Sequence, residues 1–354
     1  MRSRLGIMIF IIIGLFTAFV IGFQNDLLFT QLGYDEEQEG LKDRIVIRFS
    51  HVVAENTPKG LAAEHFSKLV SQKTYGRVEV QVFPNGILYS DTTELKALQD
   101  GDIQMIAPAV SNLSEVDPAW SALDLPYLFH ELAEVNQALS GKIGSLLFDT
   151  LGARDMKGLS FWTSGFKQMT DNRNPLLSVA DFAGQRFRII PSTVLAAQMR
   201  SLGATPVPMG FNEVYRELAA GRIDGEENTI SNIYSKRLYQ VQRYMTLSNH
   251  GYLGYAVIMS KPFWDSLPAD VQASIQEAMQ ETTAWSNQHT AELDKKDLAL
   301  IQESQSMAIH VQTPAERAAW EAHLRPLYQQ FAPDIGDALM QEIERLHQQR
   351  PRPK

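Results

Sequence analysis

The sequence predicts an α/β protein that folds into two lobes, and three observations lead to this fold class. With 354 residues, of which 44% are hydrophobic, the chain is long enough to bury more than one core. Segments with the period of a strand alternate along it with segments that have the period of a helix. The first such strand, helix and strand, within residues 44–84, form a βαβ unit, which is typical of an α/β sheet.

The amino-terminal segment predicts export from the cytoplasm. Arg2 and Arg4 precede nineteen uncharged residues, which fits a secretory signal or a transmembrane span of minimal length. Because Phe23 stands where a cleavage site needs a small residue, we expect residues 1–23 to be either a signal peptide or an uncleaved signal anchor. The cationic end stays in the cytoplasm, so the rest of the chain is delivered outside. Residues 24–43, with the acidic run DEEQE, are expected to be a linker.

Strand and helix patterns then follow in order. RIVIRFS (44–50) and RVEVQVFP (77–84) alternate as strands, and an amphipathic helix lies between them, with Thr57 as its N-cap and Pro58 at its first position. Further strands are expected at 103–109, 158–164, 166–170 and 186–190. From Pro268 to about Ser304 almost no helix-breaking residue occurs, which predicts one helix roughly 50 Å long, enough to cross both lobes.

Composition and motifs exclude several functional classes. A formal charge of -9 argues against nucleic acid, whose binding depends on clustered Lys and Arg, and the absence of cysteine excludes disulfides and thiolate metal sites. The eight histidines have no metal-binding spacing, and GxSxG, GxxxxGK and GxGxxG are missing. Glu226 and Glu227 face opposite ways on a strand, so they cannot share a substrate proton. We therefore expect no enzyme, no cofactor and no metal site.

Polar residues at the ends of strands are the candidates for a binding site. Arg188 lies near the carboxyl end of a strand and just before a helix, where open α/β sheets hold ligands. Strand alternation puts Arg186 on the same face, and a solvated strand face is the simpler interpretation. His51 follows the first strand, and the backbone N–H groups at the helix start after Thr57 favour an anion, although an ordinary capped helix explains the same residues.

Three more polar residues occur in suggestive positions. Lys167 lies just past a glycine in a strand pattern, where the backbone can approach another group closely. Asn228 offers an amide that can contact a carboxylate, and His250 precedes an apolar strand. Each has a simpler alternative, namely a surface lysine, an asparagine bonded to local backbone and a hydrogen-bonded packing histidine.

Five stretches of the chain together resemble a known family. They are SHVVAENTPKG, FPNGILYSDTTELKALQDGDIQM, WTSGFKQMTDNRNPL, RFRIIPSTVLAAQMRSLGATPVPMGFNEVYRELAAGRIDGEENTISNIYS and SNHGYLGYAVIMSKPFWDSLPADVQ. In order and with few gaps over residues 44–340, they are similar to the extracytoplasmic solute-binding subunits of TRAP (tripartite ATP-independent periplasmic) transporters. They closely resemble the branch that binds four-carbon (C4) dicarboxylates.

The resemblance implies a two-lobed periplasmic solute-binding protein with mixed sheets and a long helix that spans both lobes. We expect lobe I at residues 44–164 plus about 253–290, lobe II at 165–252 plus about 291–342, and a tail at 343–354. The implied function is capture of a small organic acid, a C4-dicarboxylate in the first place, and its delivery to the membrane permease subunits of a TRAP transporter. The alternatives are a binding protein for another carboxylate, such as a sugar acid, or a membrane-anchored sensor of organic acids.

The resemblance also implies which residues contact the ligand. They are Arg188, Asn228, Lys167, His250, Phe211, His51 and Asp91. Arg188 matches the arginine that pairs with the ligand carboxylate, and Asn228 matches a carboxylate-contacting asparagine. Lys167 stands where the dicarboxylate branch carries lysine, and it is expected to neutralise a second negative charge. One departure is Ile230, where dicarboxylate binders commonly have tryptophan, and this leaves the chain length of the ligand open.

Overall fold

The structure, a computed structural model, describes residues 44–350. The expected signal segment and linker therefore lie outside the described residues. Within the described range, no helix is long and apolar enough to span a membrane.

Strands and helices alternate in this range as the sequence predicts. The strands are β1 (Ile45–Ser50), β2 (Val78–Phe83), β3 (Met105–Ile106), β4 (Met156–Asp171), β5 (Arg186–Ile189), β6 (Thr205–Pro208), β7 (Gly225–Asn228), β8 (Tyr244–Ser260) and β9 (Ala308–Val311). The helices are α1 (Pro58–Lys73), α2 (Glu94–Gln99), α3 (Leu132–Ser140), α4 (Lys142–Asp149), α5 (Thr193–Ser201), α6 (Phe211–Ala219), α7 (Ile230–Ser235), α8 (Lys261–Ser266), α9 (Ala269–Ser304), α10 (Pro314–Leu324), α11 (Pro326–Ile335) and α12 (Asp337–Gln348).

The strands listed above form one mixed sheet in the order β2-β1-β3-β8-β4-β7-β5-β6, with β9 paired to β8. The pairs β1–β3, β5–β6, β5–β7 and β8–β9 are parallel, whereas the pairs β3–β8, β4–β8 and β4–β7 are antiparallel. The α/β class and the mixed pairing are therefore confirmed. The long strands β4 and β8, with 16 and 17 residues, lie in the middle of this order. They join the half that contains β1, β2 and β3 to the half that contains β5, β6 and β7.

The two strands predicted within 158–170 are a single strand, β4, with an irregularity near its middle. The β4–β8 register shifts between Thr163 and Gly165. Gly165 has a φ of +122°, and a Cβ atom there would lie 2.6 Å from Oδ2 of Asp294. Glycine is required here because other residues rarely adopt this conformation and because the α9 carboxyl group leaves no room. The close backbone approach that the sequence predicted just before Lys167 is thus present.

Aromatic and aliphatic side chains form the core of the amino-terminal half. Phe49 of β1 meets Phe66 of α1 edge to face, with ring centroids 6.5 Å apart, and lies 5.9 Å from the ring of Trp162 on β4. All three are fully buried. The helical spacing of Ala62, Phe66 and Val70 puts them on one face of α1, so burying that face docks the helix on the sheet.

The long helix α9 has 36 residues, about 54 Å at the rise of an α-helix. It packs against α1, which follows β1 at one end of the sheet, and against α7, which follows β7 at the other. Its buried face changes from Val271 and Ile275 to Thr282, Ser286 and Thr290. The predicted helix across both halves is therefore confirmed.

The carboxyl-terminal helix α12 continues to Gln348, beyond the position where we expected the tail to begin. Ile343 and Leu346 are buried, so they belong to the folded core. Arg350 donates from Nε to Oε1 of Glu134 at 2.8 Å. The helix extends further than the sequence suggested because its apolar face packs on α4 and because Arg350 holds its end.

Candidate ligand site

Arg188, the third residue of β5, is only 1% exposed. Its Nε and Nη2 donate to the carbonyl oxygen of Met209 at 3.3 and 3.1 Å, and its Nη1 has no partner within residues 44–350. Arg186, by contrast, is exposed and pairs with Asp224 at 3.2 Å. The two arginines differ because the segment that carries Met209 covers the carboxyl end of β5. The interpretation of Arg188 as part of a solvated strand face is therefore wrong.

Phe211 and Asp91 lie together next to this arginine. The centroid of the Phe211 ring is 5.8 Å from Cζ of Arg188. Phe211 is the first residue of α6, and its backbone N–H donates to Oδ2 of Asp91 at 3.0 Å. The other carboxylate oxygen of Asp91 is buried and has no partner in the described part of the chain. Asp91 thus ties the start of α6 to a segment 120 residues earlier.

A buried carboxyl group, Glu226, is the neighbour of Arg188 across the β5–β7 ladder. Its Oε2 accepts from Nδ2 of Asn228 at 3.1 Å, whereas its Oε1 has no partner in the described range. Burial raises the pKa of Glu226 to about 7, although the positive charge of Arg188 opposes the shift. Burial also lowers the pKa of Arg188. Burial therefore disfavours the charged forms of both Glu226 and Arg188.

The amide of Asn228 is bonded to its own neighbourhood, as the simpler alternative for this residue predicts. Its Oδ1 accepts from the backbone N–H of Thr229 at 3.1 Å and from Nδ2 of Asn232 at 2.8 Å. The same nitrogen of Asn232 lies 3.2 Å from the hydroxyl of Tyr255. Asn228 thereby links the β5–β7 pair to β8.

Lys167 and His250 form a second, fully buried cluster around Glu227. Lys167 Nζ lies 2.7 Å from Oε1 of Glu227, while His250 Nε2 and Gln198 Nε2 lie 2.8 and 3.3 Å from its Oε2. Ser248 Oγ is 2.7 Å from His250 Nδ1. Burial opposes the charged form of Glu227, but Lys167 and His250 outweigh it and hold its pKa at about 2. The alternative of a surface lysine is therefore wrong, and the ammonium group of Lys167 already has a buried carboxylate partner.

His51 lies in a third buried group together with Lys59. Neither ring nitrogen of His51 has a hydrogen-bond partner within 3.5 Å among the described residues, and burial and the charge of Lys59 lower its pKa to about 3, although the nearby backbone of Val53 opposes the shift. Lys59 is in the first turn of α1, where Thr57 Oγ1 caps the helix by accepting from Gly60 N–H at 3.2 Å. Lys59 Nζ donates to the carbonyl oxygen of Ala107 at 2.8 Å. The neutral His51 can thus donate or accept, but it adds no charge.

The structure brings the predicted residues into three groups of contacts. Arg188, Phe211 and Asp91 form one, with Asn228 joined to it through Glu226; Lys167 and His250 form another, and His51 lies with Lys59. Sequence reasoning did not assign roles to Lys59, Glu226, Glu227, Asn232 and Tyr255. One signal in the sequence could have indicated the two glutamates. In the strand GEEN two acidic residues are adjacent, so polar and apolar residues do not alternate as they do in a strand with one solvated face.

Two other features bear on the site. Among the described residues, no group of three His, Asp or Glu side chains is placed to hold a metal ion.

An open groove of about 1040 Å³ lies between α10, α11 and α12, and its walls include Tyr127, Tyr328 and His347. None of the predicted ligand residues lines this groove, so its size does not make it the candidate site.

Comparison with known proteins identifies the family. Residues 49–334 match the model of the DctP family, described as bacterial extracellular solute-binding protein, family 7. The C4-dicarboxylate-binding protein DctB of Bacillus subtilis is 45% identical over 343 residues, which are 97% of this chain and 98% of that protein.

Solved structures agree with this match. A TRAP periplasmic solute binding protein from Shewanella oneidensis, with bound succinate, is 40% identical, has a TM-score of 0.83 and covers 86% of this chain and 99% of its own. A sugar acid binding protein from Advenella mimigardefordensis, in complex with galactonate, is 27% identical, with a TM-score of 0.84 and coverage of 86% and 98%. The chain therefore belongs to the DctP family of TRAP solute-binding proteins, family 7 of the bacterial extracellular solute-binding proteins.

Proposed function

We propose that this protein captures a C4-dicarboxylate such as succinate or malate outside the cytoplasmic membrane and delivers it to the permease of a TRAP transporter. One observation carries the proposal. Arg188 is a buried guanidinium with an unpaired nitrogen, and no carboxylate of residues 44–350 lies within 4.0 Å of it. A buried charge without a contacting counter-charge is costly, so an anionic ligand would stabilise this site. The planar guanidinium matches a carboxylate with two parallel hydrogen bonds.

The proposed mechanism is capture by closure of two lobes. Arg188 and Asn228 would hold one carboxylate, and the ring of Phe211 would form a wall beside it. The register shift at Thr163 and Gly165 supports a hinge between residues 44–164 and the segment that follows. The closed form would dock on the permease, because a ligand shifts a conformational equilibrium only through different affinities for the two states. No catalytic step is required.

The named relatives favour a dicarboxylate over a sugar acid. The Bacillus protein is named for C4-dicarboxylates and the Shewanella structure holds succinate, and both are more similar to this chain than the galactonate complex is. One observation keeps the sugar acid as a second candidate. Ile230, the buried first residue of α7, is smaller than the tryptophan common in the dicarboxylate branch, and this could leave room for a longer acid.

A titration of the exported protein with succinate, malate, lactate, pyruvate and a hexuronate tests the proposal. We expect succinate or malate to bind at least about fivefold more tightly than the other acids, because a monocarboxylate leaves a buried polar group unmatched at a cost of about 1–3 kcal/mol. Isothermal calorimetry measures the affinities, and analysis of the acids after incubation should recover them unchanged. Tenfold tighter binding of lactate, pyruvate or the hexuronate than of every dicarboxylate would refute the assignment.

Localisation gives a second test of the proposal. We expect the full chain outside the cytoplasm and a variant that lacks residues 1–23 inside it, because Arg2 and Arg4 with the apolar run form an export signal. Cell fractionation measures the distribution, and mass spectrometry of the amino terminus distinguishes a cleaved signal peptide from an anchor in the membrane. Finding the full-length chain in the cytosol would contradict export.

A further inference from the structure

Two buried lysines, Lys167 and Lys59, lie near the proposed ligand site, and they differ in how their charges are compensated. Both side chains are 1% exposed. Lys167 forms an ion pair of 2.7 Å with Glu227, and the second oxygen of that carboxylate lies 2.8 Å from His250. Because this pair is complete, its net charge is close to zero. A ligand carboxylate would have to compete with Glu227 for Lys167.

Lys59 has no such partner among the residues that the structure describes. Its Nζ donates one hydrogen bond, to the neutral carbonyl oxygen of Ala107 at 2.8 Å, and lies 3.7 Å from the centroid of the Tyr255 ring. An ammonium group has three donors, and no carboxylate in the described part of the chain lies within 4.0 Å of it. Lys59 is thus a desolvated cation that lacks a contacting anion.

Acidic groups near Lys59 do not fully compensate its positive charge. Asp91 and Glu94 attract Lys59, but from beyond ion-pair distance. One oxygen of Asp91 already accepts from Phe211 N–H. Burial raises the pKa of Glu94 to about 8 and lowers the pKa of Lys59 to about 8, so burial disfavours the charged forms of both groups. The positive charge of Lys59 is therefore only partly offset.

Contacts connect Lys59 to Arg188 along two routes. Asp91 exerts an electrostatic attraction on both cations, and it bonds to Phe211, whose ring faces Arg188. On the other side, the hydroxyl of the Tyr255 ring beneath Lys59 lies 3.2 Å from Asn232. Asn232 bonds to Asn228, which bonds to Glu226, the neighbour of Arg188 across the β5–β7 ladder. Lys59 and Arg188 thus belong to one continuous polar region, in which the free guanidinium nitrogen and the ring nitrogens of His51 are also unpartnered among residues 44–350.

We infer that Lys59, and not Lys167, binds the second carboxylate of the dicarboxylate and so sets the preference for diacids over monoacids. Arg188 binds the first carboxylate, and this inference rests on the proposed function. The four-carbon chain then lies between the two cations. His51, which is neutral, can add a hydrogen bond beside Lys59 without changing the charge of the site.

The test compares succinate with butyrate, which has the same four carbons but one carboxylate. Calorimetry is done on the exported protein and on two variants, Lys59→Met and the control Lys68→Met, whose lysine is exposed on the same helix. We expect Lys59→Met to weaken succinate binding by about 30-fold or more and butyrate binding by less than about threefold. Lys68→Met should leave both affinities within about twofold.

Equal weakening of the two acids, or unchanged succinate affinity in Lys59→Met, would overturn the inference. If this variant fails to fold or butyrate binding is too weak to measure, a crystal structure of the parent with succinate decides. The second carboxylate should lie within hydrogen-bonding distance of Lys59 Nζ, and a position on Lys167, or on neither lysine, rejects the inference. A parent protein that binds no dicarboxylate refutes the proposed function itself, whereas one that binds succinate independently of Lys59 refutes only this step.

Discussion

Replacing Arg188 with alanine should weaken dicarboxylate binding by about 30-fold or more while the protein stays folded. The loss of one partner of a desolvated charge pair costs about 2–5 kcal/mol, which corresponds to this range of affinity. The guanidinium donates two hydrogen bonds to a single carbonyl oxygen, that of Met209. Removing the guanidinium therefore breaks no ion pair with a buried carboxylate of residues 44–350. Isothermal calorimetry with succinate measures the effect, and circular dichroism verifies the fold.

The matched control is Arg186→Ala on the same strand. Arg186 is exposed and pairs with Asp224, so its loss should change succinate affinity by less than about twofold. Arg188→Lys should also bind more weakly than the parent, because a point charge cannot reproduce the two parallel bonds of a guanidinium. If Arg188→Ala binds succinate as tightly as Arg186→Ala does, Arg188 is not the carboxylate anchor.

Replacing Lys167 with methionine should destabilise the protein by about 3–5 kcal/mol, because it leaves Glu227 buried without its main counter-charge. The remaining contacts of Glu227 come from His250 and Gln198, which carry no permanent charge. The free energy of unfolding, measured by urea denaturation of the ligand-free protein, tests this expectation.

Two further variants separate this effect from a general loss of packing. Lys157→Met changes a half-buried lysine on the same strand and should alter the free energy of unfolding by less than about 0.5 kcal/mol. Adding Glu227→Gln to Lys167→Met should recover most of the lost stability, since the cluster around residue 227 then contains no unpaired buried charge. A Lys167→Met protein that is as stable as the parent but has lost its preference for diacids would mean that Lys167 is the second anion site.

Much of the fold could be predicted because its signals are local. The period of residues 44–84 predicted β1, α1 and β2, and the absence of breakers from Pro268 to Ser304 predicted α9. The continuity of β4 could not be predicted in the same way, because Gly165 interrupts the pattern like a turn residue. Its partner β8 and the facing Asp294 are distant in sequence, and they hold the strand through the irregularity.

The candidate site could be predicted only as a set of residue positions. Arg188, Asn228 and Phe211 were found from strand ends and from the family resemblance, and the structure puts Arg188 beside Phe211 with Asn228 close by. The partners of Lys167 could not be read from the chain. Glu227 and Lys167 are 60 residues apart, and only the antiparallel β4–β7 ladder brings them together.

The sequence by itself determined the α/β class, the long helix, the family and the presence of an arginine at the end of β5, because periodicity, breakers and motifs are properties of neighbouring residues. The tertiary structure alone decided which buried charges are paired. Lys167 and Lys59 are equally buried, yet Lys167 contacts the carboxylate of Glu227, whereas Lys59 contacts the Ala107 carbonyl oxygen and the Tyr255 ring and has no carboxylate within 4.0 Å among residues 44–350. The free energy of a buried charge depends on the groups within a few ångströms, and long-range strand pairing sets which groups those are.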